Sequence, residues 1–115
     1  MSKPDRSCVI PFAEAHASIP GPDGQRARSL LRHGSLEVKL SRPLPPNRQT
    51  PHLQDEVYII MSGRGVLVHE DQREAFEAGD CLFVPAGIEH RFEDFGEDLA
   101  VWVVFYGPSG GELPT

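Results

Sequence analysis

Short β-strands packed as a sandwich or barrel are what this chain predicts, on three observations. Eleven prolines and eleven glycines cut its 115 residues into short pieces. No apolar pattern with helical spacing lasts long enough for a long helix. Apolar runs of strand length recur between turn signals. A chain of this size fits one domain with a single core.

The first 25 residues read as an irregular N-terminal arm, broken by Pro4, Pro11, Pro20, Gly21, Pro22 and Gly24. Within it Val9, Ile10 and Phe12 are apolar enough to dock on the body or on a partner chain. The domain proper is expected over residues 26–107, with a Gly/Pro tail over residues 108–115. Ala27–His33 is the first strand, closed by a turn at His33-Gly34. Ser35–Leu40 alternates, with Leu36, Val38 and Leu40 on one side and Glu37 and Lys39 on the other, the pattern of a half-buried strand. Pro43, Pro45 and Pro46 remove ladder donors, so Ser41–Asn47 is a loop. Gln49–Ser62 is the next strand. Val66–Glu70, Arg73–Glu77, Cys81–Val84, Ile88–Phe95 and Leu99–Tyr106 complete the set, separated by turns at Ser62–Gly65, Asp71-Gln72, Ala78–Asp80, Pro85–Gly87 and Gly96–Asp98. Val57–Met61 and Leu99–Tyr106 are apolar on both faces, so their outer stripes need cover.

Composition narrows the function. Eleven basic residues against seventeen acidic ones give a net charge of −6, which argues against nucleic-acid or anionic-membrane partners. The local cluster Arg26, Arg28 and Arg32 reads as a solvated strand face. Two cysteines, Cys8 and Cys81, make no disulfide framework and suit a reducing compartment. There is no apolar run of membrane-spanning length and no signal-peptide hydrophobic region, so the expected location is the cytoplasm. A P-loop, a dinucleotide fingerprint, a nucleophilic-serine elbow and a CxxC pair are all missing from the sequence.

The chemistry concentrates in two stretches. In a continuous strand Thr50, His52, Gln54, Glu56 and Tyr58 share one face, because side chains alternate. An imidazole and a carboxylate converging on an inner surface begin a divalent-metal site. His90, in the later stretch GDCLFVPAGIEHRFED, offers a third donor. His16, His33 and His69 match no pattern and read as surface residues.

With these residues the chain resembles the cupins, small barrels of jelly-roll type. Their second motif, Gly, five residues, Pro-x-Gly, two residues, His, three residues, Asn, is met by Gly79, Pro85, Gly87 and His90, with Asp94 in the last place. Their first motif is met by His52, Glu56 and Gly63. Leu44 stands where that motif begins with glycine, and Thr50 replaces the first histidine of its pair. The two motifs span residues 44–94.

The resemblance implies an all-β, double-stranded β-helix (jelly-roll, cupin-type) barrel. It also implies a divalent transition metal (Fe, Mn, Ni or Zn) held by His52, Glu56 and His90. Two histidines and a carboxylate form the facial triad of non-haem Fe(II) oxygenases, with positions left open. Thr50, Gln54, Tyr58, Phe92 and Trp102 are candidates to shape a pocket around an oxygen-rich small molecule, with core filling the alternative role for the three aromatic residues. The functional expectation is a small metal-dependent enzyme, such as a dioxygenase or isomerase. The alternative is a non-catalytic binding or sensor module, with or without metal. Similar cupins form homodimers, and the uncovered apolar stripes fit that arrangement here.

Overall fold

The computed structural model describes residues 6–47 and 51–114. Among them a short helix α1 (Phe12–Ala17) precedes β1 (Ala27–His33), β2 (Leu36–Ser41), β3 (Asp55–Ser62), β4 (Arg64–His69), β5 (Gln72–Glu77), β6 (Cys81–Val84), β7 (His90–Glu93) and β8 (Ala100–Tyr106). The strands form two antiparallel sheets, one ordered β1-β2-β8-β3-β6 and one ordered β5-β4-β7. This is the expected jelly roll, although the two ladders do not join into one closed barrel.

β8 runs between β2 and β3, which explains why it is apolar on both faces. Val101, Val103 and Phe105 point between the sheets, where they meet Tyr58, Ile60 and Phe92 in the main core. Trp102 points the other way. It joins Leu40 and Leu30 in a second apolar cluster that α1 covers with Phe12 and Ala15. The apolar side of β2 thus faces the helix, and its Glu37/Lys39/Ser41 side faces the interior.

The helix corrects the reading of residues 1–25 as wholly irregular. Its sequence FAEAHA is a single alanine-rich stretch, too short to show a 3.6-residue period. Tertiary contacts hold it. Phe12 lies edge-on to Trp102, with ring centroids 6.1 Å apart. Arg42 donates from Nη1 to the carbonyls of His16 (3.2 Å) and Ile19 (2.5 Å), fastening the arm to the end of β2. Phe12 therefore docks as expected, while Val9 stays exposed.

β3 begins at Asp55, six residues later than expected from Gln49. Pro51 lacks a ladder donor, and residues 51–54 bond elsewhere. The His52 carbonyl accepts from Gly87 N at 2.8 Å, and the Leu53 carbonyl accepts from Gly110 N at 2.7 Å. Asp55 then anchors the strand. Its carboxylate accepts 2.9 Å bonds from the backbone N–H groups of Glu112 and Ala86, and these hold its pKa below the ordinary carboxylate value. The C-terminal segment is thereby strapped across the entry to β3.

Two turns need particular backbones. Gly63, between β3 and β4, has φ +84°, and a Cβ there would sit 2.9 Å from Leu99 Cα. Asp94 ends β7 at φ +55°, a left-handed conformation that Asn and Asp tolerate best among side-chain-bearing residues. Asp meets that backbone requirement as the motif's Asn would. It also shortens the strand expected over Ile88–Phe95.

Leu40 is 0% exposed and central to the cluster under α1. Leu40→Ala is expected to cost about 2–5 kcal/mol by transfer and cavity terms. Leu53→Ala, at a 74% exposed position, is expected to change stability by less than about 0.5 kcal/mol. Urea unfolding followed by Trp102 fluorescence measures both, and equal effects would contradict the second core.

Candidate metal centre

Three chain segments bring the polar groups of the interior together. Glu56 is the second residue of β3 and points between the sheets, opposite Phe105 on β8 and Val84 on β6. His90 opens β7 on the facing sheet. His52 comes from the irregular segment before β3, and its backbone is bonded to Gly87 in the Pro85–Gly87 turn just ahead of His90. That turn therefore sets both histidines, one by sequence and one by a hydrogen bond.

The donor atoms lie close. His90 Nε2 is 3.1 Å from Glu56 Oε1, and His52 Nε2 is 3.9 Å from Glu56 Oε2. One ligating atom from each of the three residues falls within 4.8 Å of the others, a group able to hold a metal ion. Glu56 is 2% exposed and His90 3%, while His52 is half-buried. Phe105 packs edge-on against the His52 ring, at 4.7 Å between centroids.

Hydrogen bonding fixes the state of His90. Its Nδ1 lies 2.9 Å from the Ile88 carbonyl, an acceptor only, so Nδ1 carries the proton. In the neutral ring Nε2 then presents its lone pair inward, towards the Tyr58 hydroxyl, which donates to it at 2.9 Å, with Glu56 Oε1 close by at 3.1 Å. This is the tautomer and second-atom anchoring that metal-ligating histidines use. Glu56 Oε1 is buried with no hydrogen-bond partner among the described residues. Its 3.1 Å approach to Nε2 is an electrostatic contact that does not meet hydrogen-bond geometry. A buried carboxylate oxygen facing an imidazole lone pair calls for a cation between them or a proton on the ring.

The electrostatics agree. Burial, the largest influence on His90, pushes its pKa down, yet Glu56 and the Ile88 carbonyl together carry it above the ordinary 6.5. His52 moves the other way. Burial lowers it most, Glu56 opposes that, and the charges of His90 and Lys39 lower it further.

A cavity of about 330 Å³ opens beside these groups, lined by His52, Glu56, Tyr58, Phe92, Lys39 and Asn47 among others. Tyr58 and Phe92 thus stand where expected, in contact with each other as well as with the core. Trp102 does not reach the cavity, because it is one residue out of phase with Val103 and Phe105 and faces α1. Gln54 bonds the carbonyls of Ser35 (2.8 Å) and Gly107 (2.9 Å), away from the donors, since β3 has not yet begun there. Asp94 is exposed and paired with Arg73. Thr50 lies outside the described residues.

Lys39, Asn47 and Phe105 were not among the residues expected at the cavity. The alternation of β2 was plain, but which side faced inward depended on α1. Asn47 sits in the proline-rich loop and accepts from Phe92 N through Oδ1 at 2.9 Å, a contact that spacing does not reveal. Another groove, about 510 Å³ between the arm and β1, has no His, Cys, Asp or Glu among the described residues of its lining.

A two-sheet jelly roll with a His/Glu/His group between its sheets defines a small cupin-type protein. The chain belongs to the cupin family: the family model described as Cupin domain matches residues 43–106. It is 43% identical over 60 residues to an uncharacterized protein of Streptomyces coelicolor, a match covering 52% of this chain and 57% of that one. The chain thus spans little more than half the length of that relative. Its fold is similar to a cupin-2 domain containing protein from Shewanella frigidimarina (TM-score 0.70, 22% identity, covering 86% of this chain and 95% of that one). It is also similar to the DMSP lyase of Ruegeria pomeroyi (TM-score 0.62, 22% identity, covering 81% of this chain and 53% of that one).

Glu56 occupies a costly position in the metal-free protein. Glu56→Gln removes the buried charge and keeps the side chain's shape. In chelator it is expected to melt at the same temperature as the parent or higher. A loss of more than about 1 kcal/mol would contradict the assignment of Oε1 as an unsatisfied group.

Proposed function

We propose that His52, Glu56 and His90 hold one divalent transition metal (Fe, Mn, Ni or Zn) and that this cupin acts on an oxygen-rich small molecule bound beside it, in the manner of a dioxygenase-type enzyme. The observation that carries this reading is Glu56 Oε1, buried, 3.1 Å from His90 Nε2 and without a hydrogen-bond partner among the described residues. Two imidazoles and one carboxylate suit Fe(II), Mn(II), Ni(II) or Zn(II). A metal held by these residues would supply Lewis acidity.

The chain's own groups divide the remaining work. The Ile88 carbonyl holds the His90 ring in its ligating tautomer. Phe92 and Phe105 line the cavity with apolar surface and limit water. Tyr58 holds a hydroxyl beside His90 Nε2, where it can donate a hydrogen bond to an oxygen of a bound molecule. A non-catalytic binding module is the second reading. It is supported by the short supply of proton-transfer groups among the described residues of the cavity lining, where Tyr58 and Lys39 are the titratable side chains besides the ligand set.

Elemental analysis after purification or reconstitution is expected to find one divalent ion per chain, held more weakly by His90→Ala. Saturating metal at about one hundred times its Kd is expected to stabilise the protein by about 2.7 kcal/mol. A chain that takes up no ion contradicts the metal reading. The enzyme reading further requires O₂ consumption with a small oxygenated substrate that stops in His90→Ala. Tight binding of such a molecule without turnover favours the module.

The outer face of the larger sheet carries Val57, Ile59, Met61 and Phe83 beyond the cover of α1, with Met61 38% and Phe83 53% exposed. We infer that two copies pair through this face. Light scattering at micromolar concentration is expected to return the mass of a dimer, and a monomer contradicts it.

A further inference from the structure

Among the described residues that line the cavity Lys39 is the cation, and the metal reading gives it no role. On β2 it pairs with Val103 of β8, and Val103 pairs with Tyr58 of β3. The three residues therefore share the inner face, and Lys39 lines the same cavity as His52 and Glu56. β2 lies two strand spacings from β3 in the same sheet, about 10 Å, so Lys39 is set apart from Glu56 along one inner face. Its neighbour on that face, Glu37, is neutralised by Arg32 at 3.0 Å. Lys39 makes no ion pair among the described residues. Its charge is nevertheless felt at the other end, where it helps to lower the pKa of His52, after burial and beside His90.

Lys39 is half-buried, and a charge drawn from water without a counter-ion is unfavourable unless a ligand supplies one. With a divalent ion on the triad, Lys39 and the ion would outweigh Glu56 by two positive charges among the described lining residues, set about two strand spacings apart. A molecule with one negative group at each end matches that distribution. The cavity's 330 Å³ is near the lower end of small-ligand sites, about 300–1,000 Å³, so the molecule is small. Lysine acts as a single point charge and pairs with a monoanionic carboxylate one to one. A phosphate dianion against one lysine leaves charge uncompensated near Glu56.

We propose that the cavity selects a small dicarboxylate, one end chelating at His52, Glu56 and His90 and the distal carboxylate paired with Lys39. This deepens the metal reading above and rests on it for the chelating end only. Lys39 is then the residue that determines specificity.

The test compares 2-oxoglutarate with 2-oxopentanoate, which share the chelating end and chain length and differ in the distal carboxylate. Calorimetric titration of the metal-loaded protein is expected to show at least about tenfold tighter binding of the dicarboxylate. The preference is expected to vanish in Lys39→Met and to return in Lys39→Arg. Equal affinity for the two acids, no binding of either, a preference that survives in Lys39→Met, or tighter binding of inorganic phosphate than of 2-oxoglutarate overturns the proposal. Metal content is measured on each sample. If the protein takes up no metal, the metal reading fails by itself, and the same acids are titrated against the metal-free protein. A Lys39-dependent preference there still supports the carboxylate subsite, and its absence overturns it.

Discussion

A carboxylate and an imidazole meeting across two sheets is the contact on which the rest of this molecule depends. Glu56 belongs to a central strand of the larger sheet and His90 to an edge strand of the smaller one, yet their polar atoms are 3.1 Å apart in the interior. Leaving such a pair in an apolar core costs stability, and an ordinary core would replace it with aliphatic side chains. The fold instead builds around it. The Ile88 carbonyl orients His90, the Pro85–Gly87 turn holds His52 in place, and Tyr58, Phe92 and Phe105 wall the space beside it. Local rules broken in one place while satisfied elsewhere are the mark of a functional site.

Much of this was legible in the residues. Cys81–Val84 and Ala27–His33 are strands at the expected boundaries, because each is a β-rich run closed by turn residues. Spacing brought His90 and Glu56 to the interior, since both lie in regular strands where alternation holds. His52 reached the same place by another route. Pro51 keeps its segment out of the sheet, so the parity that paired it with Glu56 does not describe its backbone; a hydrogen bond from Gly87 does. The same parity misplaced Gln54, which bonds carbonyls outside the cavity.

The remaining misses share one cause, the two-sided nature of the larger sheet. Alternation says which residues are on the same face, but not which face is inside. In β8 both faces are apolar, and only the docking of Phe12 and Ala15 on Trp102 and Leu40 decides that Trp102 lies outside the cavity. That helix is too short to show a period and is held by tertiary contacts, chiefly through Arg42. Once it claims the apolar side of β2, Lys39 is committed to the interior. A six-residue element on the exterior thus determines the charge of the cavity.

The central claim is that the interior polar group exists to bind a cation. X-ray absorption spectroscopy of the reconstituted protein tests it most directly. The account predicts a first shell of nitrogen and oxygen with the outer-shell scattering of two imidazoles, reduced to one in His90→Ala. A spectrum without imidazole scattering, identical in both proteins, would show the ion bound elsewhere and contradict the account.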